Sequence, residues 1–276
     1  MLLPDDIDAI RQEPDPIRQA QRAAALQAVY QQHSTELGRL RRAGMERAHV
    51  EKGMSYTDVA KALGITKGRV TQIRSSAPPA ARALFGIGPV TVVLPYRYQV
   101  TDRERPLLAA EDVAAGDLAK QLLESFGFTT RTAQVGPDDT ELPEGDLFVI
   151  CGPKSSPAVA DLLDTDPRFT IGRDEDGWFI EDRQTHEHHR SPMDTSGGST
   201  DVAYVARRRE GSRTITHVAG LHAIGSLGAL TQLTDDAAEL FSTTEGGDFS
   251  LLVESSHDGL TITSAVALGA PRRWDD

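Results

Sequence analysis

Three stretches of the sequence hold side chains whose types and spacing suit chemistry. The first is "SYTDVAKALGITKGRVTQIRSSAP", residues 55–78. If its second half is a helix with Val70 and Ile73 turned inward, the outward set is Lys67, Gly68, Arg69, Thr71, Gln72 and Ser75. These are polar, basic or small, as a surface entering a DNA groove should be. Thr71 and Gln72 suit base edges, and Lys67, Arg69 and Arg74 suit phosphates. Thr66 suits the N-cap. Gly68 inside a helix costs about 1 kcal/mol relative to Ala, which close approach to DNA would explain. The second stretch is "CGPKSSP". Gly152, Lys154, Ser155 and Ser156 follow a buried-type strand and precede a helix, so backbone N–H groups, a helix dipole and a lysine converge on a place for an anion. The phosphate-loop spacing G-x-x-x-x-G-K-[ST] is absent. The third is "RTITHVAGLHAIGSLGALTQL", where a strand runs through Gly220, His222, Gly225, Ser226 and Gly228 into a helix. That setting suits close backbone approach to a ligand, although the dinucleotide spacing G-x-G-x-x-G is absent.

Elements must place these groups. Residues 1–78 read as all-helical: "PIRQAQRAAALQAVYQQHSTELGRLRRAGMERAHVEKG" forms one or two helices, with Pro14 and Pro16 at the start and Gly53 at the end. Within 55–78, Val59, Ala60, Leu63, Ile65, Val70 and Ile73 are the inner positions of a helix-turn-helix, and Gly64 takes its turn. Pro78 and Pro79 open a linker over 79–89. From residue 90, strands such as "VTVVLP", "DLFVIC" and "RTITHVA" alternate with helices such as "AAEDVAAGDLAKQLLESFG", whose inner face includes Val113, Leu118, Leu122 and Phe126. The fold class expected is α/β: an all-helical helix-turn-helix domain, then a Rossmann-like α/β domain over 90–276 with a mostly parallel sheet. The three strands "RFTI", "GWFIED" and "DVAYVARRR" in a row read as a β-hairpin excursion. In a parallel sheet the 152–156 and 220–228 loops follow carboxyl ends of strands and share one edge. "RSPMDTSGGSTD" reads as a flexible loop over that edge, with Asp194 or Asp201 meeting a ribose hydroxyl or a base.

Charge follows the same division. Residues 1–85 hold 13 Lys/Arg against 9 Asp/Glu, and the rest holds 16 against 32, giving the net charge of -12. A basic segment joined to an acidic body is a cue for nucleic-acid contact. The single cysteine, Cys151, excludes an intramolecular disulfide and reads as buried and inert. "HEHHR" (residues 186–190) reads as a solvated loop, and no metal site is expected. The start reads as lacking a secretory leader, and no apolar run reaches the roughly 18 residues of a membrane span. A soluble cytoplasmic protein is expected.

The segment "YTDVAKALGITKGRVTQIR" resembles region 4 of sigma-70-type factors and related bacterial helix-turn-helix regulators, with Asp58 where glutamate is usual. The resemblance covers roughly residues 35–77 and implies a repressor or activator that binds double-stranded DNA. No activity is assigned to the rest of the chain by resemblance. The expectation is a transcriptional regulator, a homodimer through the helix near residues 17–31, whose acidic domain senses a small anionic ligand. A nucleotide or other phosphorylated metabolite is the candidate, and no cofactor is assigned. The alternative is a nucleotide- or NAD-hydrolysing effector recruited to DNA, with His222 and Asp194 as acid–base candidates. A third reading has the acidic domain docking RNA polymerase.

Overall fold

A computed structural model describes residues 5–100 and 104–275. The chain divides into two compact units, Met1–Pro79 and Ala80–Asp276.

The first unit contains α1 (Asp5–Arg11), α2 (Pro16–Lys52), α3 (Tyr56–Ala62) and α4 (Lys67–Ser76). The stretch read as one or two helices is the single helix α2. Asp15 starts it, its carboxylate accepting from the Ile17 and Arg18 N–H groups at 2.9 and 3.3 Å. Gly53, at φ 62°, ends it. Ser55 and Asp58 form a capping box at the start of α3. Gly64 takes φ +65° between α3 and α4, where a side chain would be strained. Thr66 caps α4 by accepting from Arg69 N at 3.1 Å. Val59, Ala60, Val70 and Ile73 pack with Met45 of α2, and Ile65 lies against them. Leu63 departs from expectation: it stands one residue past the end of α3, its N–H still bonded to the Val59 carbonyl at 3.0 Å, and is 49% exposed.

The second unit starts earlier than the expected linker allows. Residues 80–85 form a 3-10 helix rather than part of a free linker, with Ala81, Arg82, Leu84 and Phe85 buried. The Arg82 guanidinium lies 3.8 Å from the centre of the Phe128 ring and donates to the Ile87 carbonyl at 3.0 Å. Then come β1 (Val90–Pro95), β2 (Arg97–Val100), β3 (Glu104–Leu107), α5 (Ala110–Ser125), β4 (Thr130–Val135), β5 (Asp146–Ile150) and α6 (Pro157–Asp164). They are followed by β6 (Phe169–Asp174), β7 (Gly177–Asp182), β8 (His188–Arg190), α7 (Pro192–Ser196), β9 (Thr200–Glu210) and β10 (Arg213–Gly220). Helix α8 (Ala223–Thr244), β11 (Phe249–Asp258), β12 (Thr261–Ala267) and β13 (Arg272–Arg273) complete the unit. Among the described residues, no helix is long and apolar enough to cross a membrane.

The main sheet has the order β12-β11-β9-β10-β5-β1-β4, with β13 also on β11. Strands β10, β5, β1 and β4 run parallel. Strand β9 pairs antiparallel with β10 and β11, and β12 and β13 pair antiparallel with β11. Strand β5 is buried at every position, as a parallel strand covered on both faces must be. Helices α5 and α8 and the 3-10 helix cover one face of the sheet. The other face packs on α6 and on the small sheet β6-β7-β8. Two strands of the expected excursion pair as β6–β7, but the third, "DVAYVARRR", is β9 of the main sheet, and "HHR" of the expected histidine loop takes the third place in the small sheet, with His188 stacked on Phe179.

The inner face of α5 is Asp112, Ala115, Gly116, Ala119, Leu122 and Leu123, while Val113, expected inside, is 42% exposed. The small residues let the helix lie close to β1: a Cβ on Gly116 would stand 2.9 Å from Leu94. At the opposite end of the sheet, the Asp146 carboxylate accepts from Ile87 N, Gly88 N and Thr214 N, each at 2.7 Å. It thereby ties the segment after the 3-10 helix to β5 and β10. Asp146→Ala leaves these N–H groups without their acceptor. It is expected to lower the unfolding free energy of this unit by about 3 kcal/mol, read from urea unfolding. An unchanged midpoint would contradict the assignment.

Candidate functional site: a polar helix face and a cleft of mixed charge

In the first unit, burial of Val70 and Ile73 leaves Lys67, Gly68, Arg69, Thr71, Gln72 and Ser75 of α4 exposed. Thr66 joins them at the amino end. Arg69 Nη1 donates to Gln72 Oε1 at 2.6 Å. The Thr71 and Ser75 hydroxyls donate to the Lys67 and Gln72 carbonyls of their own helix. Arg74 stands apart from this exposed set: it is half-buried, with its guanidinium 4.0 Å from the centre of the Tyr56 ring. Gly68 has no internal reason to be glycine, because a Cβ there would find no atom closer than Thr66 Oγ1 at 3.9 Å.

In the second unit, the order of the parallel strands creates the site. Strand β1 has β4 on one side and β5 on the other. The chain leaves the carboxyl end of β1 toward α5 and β4, and the carboxyl end of β5 toward α6 on the opposite face. Open α/β sheets bind ligands where strand order reverses in this way. A cleft of about 510 Å³ lies there. Pro95, Tyr96 and Arg97 line it after β1, Cys151, Gly152, Lys154 and Ser155 after β5, and Gly220, His222 and Ser226 after β10. The first turn of α5 adds Glu111 and Asp112, and the end of β11 adds His257. The loops after β5 and β10 thus share one edge.

Several expected ligand contacts have other work. The Ser156 hydroxyl is buried and donates to the Asp139 carbonyl at 2.9 Å. Ala158 N donates to the same carbonyl, and Pro157 has no N–H, so the start of α6 is closed to an anion. Gly228 faces β11, where a Cβ would collide with the Ser255 side chain. Gly225 faces the Asp201 carboxylate in the same way. Gly220 and Ser226 hold the turn together, Ser226 Oγ accepting from Gly220 N at 2.9 Å. Asp201 is fully buried and accepts from His222 N at 2.9 Å. Burial raises its carboxyl above the usual range. Asp194 lies on the short helix α7 rather than in a free loop, and its Oδ1 is 3.0 Å from His222 Nε2.

No protein-family model, curated protein or solved structure matches the chain. The chemistry of the site therefore rests on its own side chains.

Those side chains are of both signs. Arg97 and Lys154 stand against Glu111 and Asp112, and His222 and His257 add imidazoles. Burial pushes the Asp112 carboxyl up to about 6; Arg97 and Lys154 pull it down, and Glu111 adds to the rise. Burial likewise pushes the Cys151 thiol up to about 12, and its Sγ donates to the Gly152 carbonyl. Below the cleft, burial lowers His217 to about 4, so the neutral ring donates from Nε2 to the Cys151 carbonyl at 2.8 Å and fixes the end of β5. Sequence reasoning missed Tyr96, Arg97, Glu111, Asp112 and His257. The signal for four of them was present: "PYR" ends the first strand and "AED" starts the following helix.

The shift at Asp112 makes a test. Between the unfolded value of 3.8 and about 6, the folded chain holds a proton there that the unfolded chain has lost. Its stabilising contribution is therefore full at low pH and is lost as pH rises through about 6. Asp112→Asn cannot ionise. Relative to the parent, the variant is expected to gain on the order of 2 kcal/mol between about pH 4 and pH 7.5, read from urea unfolding. A difference that does not widen over that range would contradict the burial of this carboxylate.

Proposed function

We propose that the chain is a DNA-binding transcriptional regulator. In this reading α3 and α4 are a helix-turn-helix, and α4 lies in the major groove with Thr71 and Gln72 toward base edges and Lys67 and Arg69 toward phosphates. The observation that carries it is the exposed face of α4. Basic and amide side chains surround Gly68, a glycine that internal packing does not require. Two copies would reach successive major grooves about 34 Å apart. Ile17, Leu37 and Leu40 of α2, each at least 50% exposed, supply apolar surface for a second copy to cover. The cleft is the sensing site of a Rossmann-like domain. Its location where strand order reverses and its volume support a small ligand. Arg97 and Lys154 favour a phosphate, and Asp112 and the His222–Asp194 pair favour sugar hydroxyls, which together describe a nucleotide-like metabolite. Binding it changes DNA affinity to the extent that it favours one state of the protein over the other.

Mobility-shift assays with genomic fragments, with and without cell metabolites, test this. A sequence-selective shift is expected. Gln72→Ala should weaken the selected site by about tenfold or more while leaving non-specific binding in place. Lys67→Ala should weaken both and reduce the salt slope by about 1. Gly68→Ala should weaken DNA binding while stabilising α4 by up to about 1 kcal/mol. Absence of any selective shift would overturn the reading.

A further inference from the structure

The cleft holds more than a ligand cradle needs. His222 and Asp194 pair at its edge, each side chain 36% exposed. The His222 backbone is fixed by its N–H bond to buried Asp201. Asp112 lines the same cleft. An imidazole oriented by one carboxylate, with a second carboxyl group in the same cavity, is the constellation of a general acid and a general base.

The wall limits which bond such a pair could cleave. The Cys151 thiol is bonded to a carbonyl and held far from ionisation, and Ser226 accepts a backbone hydrogen bond. Neither side chain is free to attack, and water is the attacking group this proposal takes. Glu111 and Asp112 place negative charge in the first turn of α5. Phosphoryl transfer spreads negative charge over the equatorial oxygens, which these two carboxyl groups oppose, so Arg97 and Lys154 would have to serve the transferring group itself. Glycosidic cleavage passes through an oxocarbenium-like state, whose positive charge the carboxyl groups favour. Arg97 and Lys154 remain for a phosphate on the sugar.

We infer that the cleft hydrolyses the N-glycosidic bond of a nucleoside 5′-monophosphate, with Asp112 as general base and His222 as general acid. The water oxygen bonds to C1′ and gives its proton to Asp112. The C1′–N bond breaks with its electron pair on the base nitrogen, which takes a proton from the imidazolium nitrogen not engaged by Asp194. Free base and ribose 5-phosphate leave. Proton exchange with solvent resets both groups, and nothing is oxidised or reduced. Asp194 is a positioning residue. The inference rests on the reading that the cleft binds a phosphorylated ligand.

The test uses the full chain with AMP, GMP, CMP and UMP. Released base is measured by chromatography and binding by equilibrium dialysis. Base and ribose 5-phosphate are expected in equal amounts. kcat should rise as pH rises through about 6. The groups facing Asp112 are Arg97 from β2, Glu111 beside it on α5, and Lys154 and Cys151 from the end of β5. Asp112→Asn and His222→Ala should each lower kcat by about 100-fold or more, and because both side chains also meet the sugar hydroxyls, monophosphate affinity should fall as well, but by much less than kcat. Asp194→Asn should lower kcat by about tenfold, a larger loss than any it causes in KM, and Asp194→Glu should restore part of it. Thermal unfolding by circular dichroism confirms that each variant folds, and His222→Asn replaces His222→Ala if the alanine variant does not. Monophosphate bound without release of base overturns hydrolysis and leaves the ligand reading standing. No binding of any of the four overturns both.

Discussion

Strand β1 has one neighbour reached by the chain that leaves it and another reached from the far side. That order obliges the segments after β1 and β5 to part, one toward α5 and the other toward α6 on the opposite face of the sheet. Two backbones that part cannot fill the space between them, so a cleft at the carboxyl edge follows from topology. Everything chemical in this unit is placed by that parting. The residues that finish β1, β5 and β10, and the first turns of α5 and α8, arrive at one cavity from distant positions in the chain.

Helix starts at such an edge usually offer N–H groups to an anion. Here the protein supplies its own carboxylates. Glu111 and Asp112 stand in the first turn of α5, and Asp201 sits beneath the start of α8, hydrogen-bonded to the His222 N–H. The glycines of the β10–α8 segment serve this arrangement. Gly225 makes room for the Asp201 carboxylate and Gly228 for Ser255, so α8 lies tightly on β9 and β11. A phosphate would then rely on the cations Arg97 and Lys154, and the helix termini suit positive charge or hydroxyl donors.

Much of this was legible in the sequence. The helical stretch, the capped turn around Gly64, the buried strands and the amphipathic helices follow from periodicity, capping residues and β-branched runs. The loops after β5 and β10 were legible as neighbours because a parallel sheet puts carboxyl ends together. What sequence pattern could not give was contact between elements far apart in the chain. The antiparallel half around β9 depends on where β11 and β12 return. The role of Gly228 depends on Ser255, and that of Ser156 on Asp139. Asp112 was hidden for a sharper reason. Hydrophobic periodicity assigns Val113 to the inner face, but the helix instead turns inward the row of Asp112, Ala115, Gly116 and Ala119. Small residues carry little hydrophobic signal, yet they are what close packing on β1 selects.

That row has a further consequence. An ionised carboxylate held out of water at neutral pH is a debt carried by the empty protein. Any occupant that donates a hydrogen bond to it, or places positive charge beside it, returns part of the lost solvation. The melting temperature of this unit is therefore tied to what fills its cleft. A compound that binds there should reveal itself by delaying thermal denaturation, and the empty form should be the one most readily removed by cellular proteolysis.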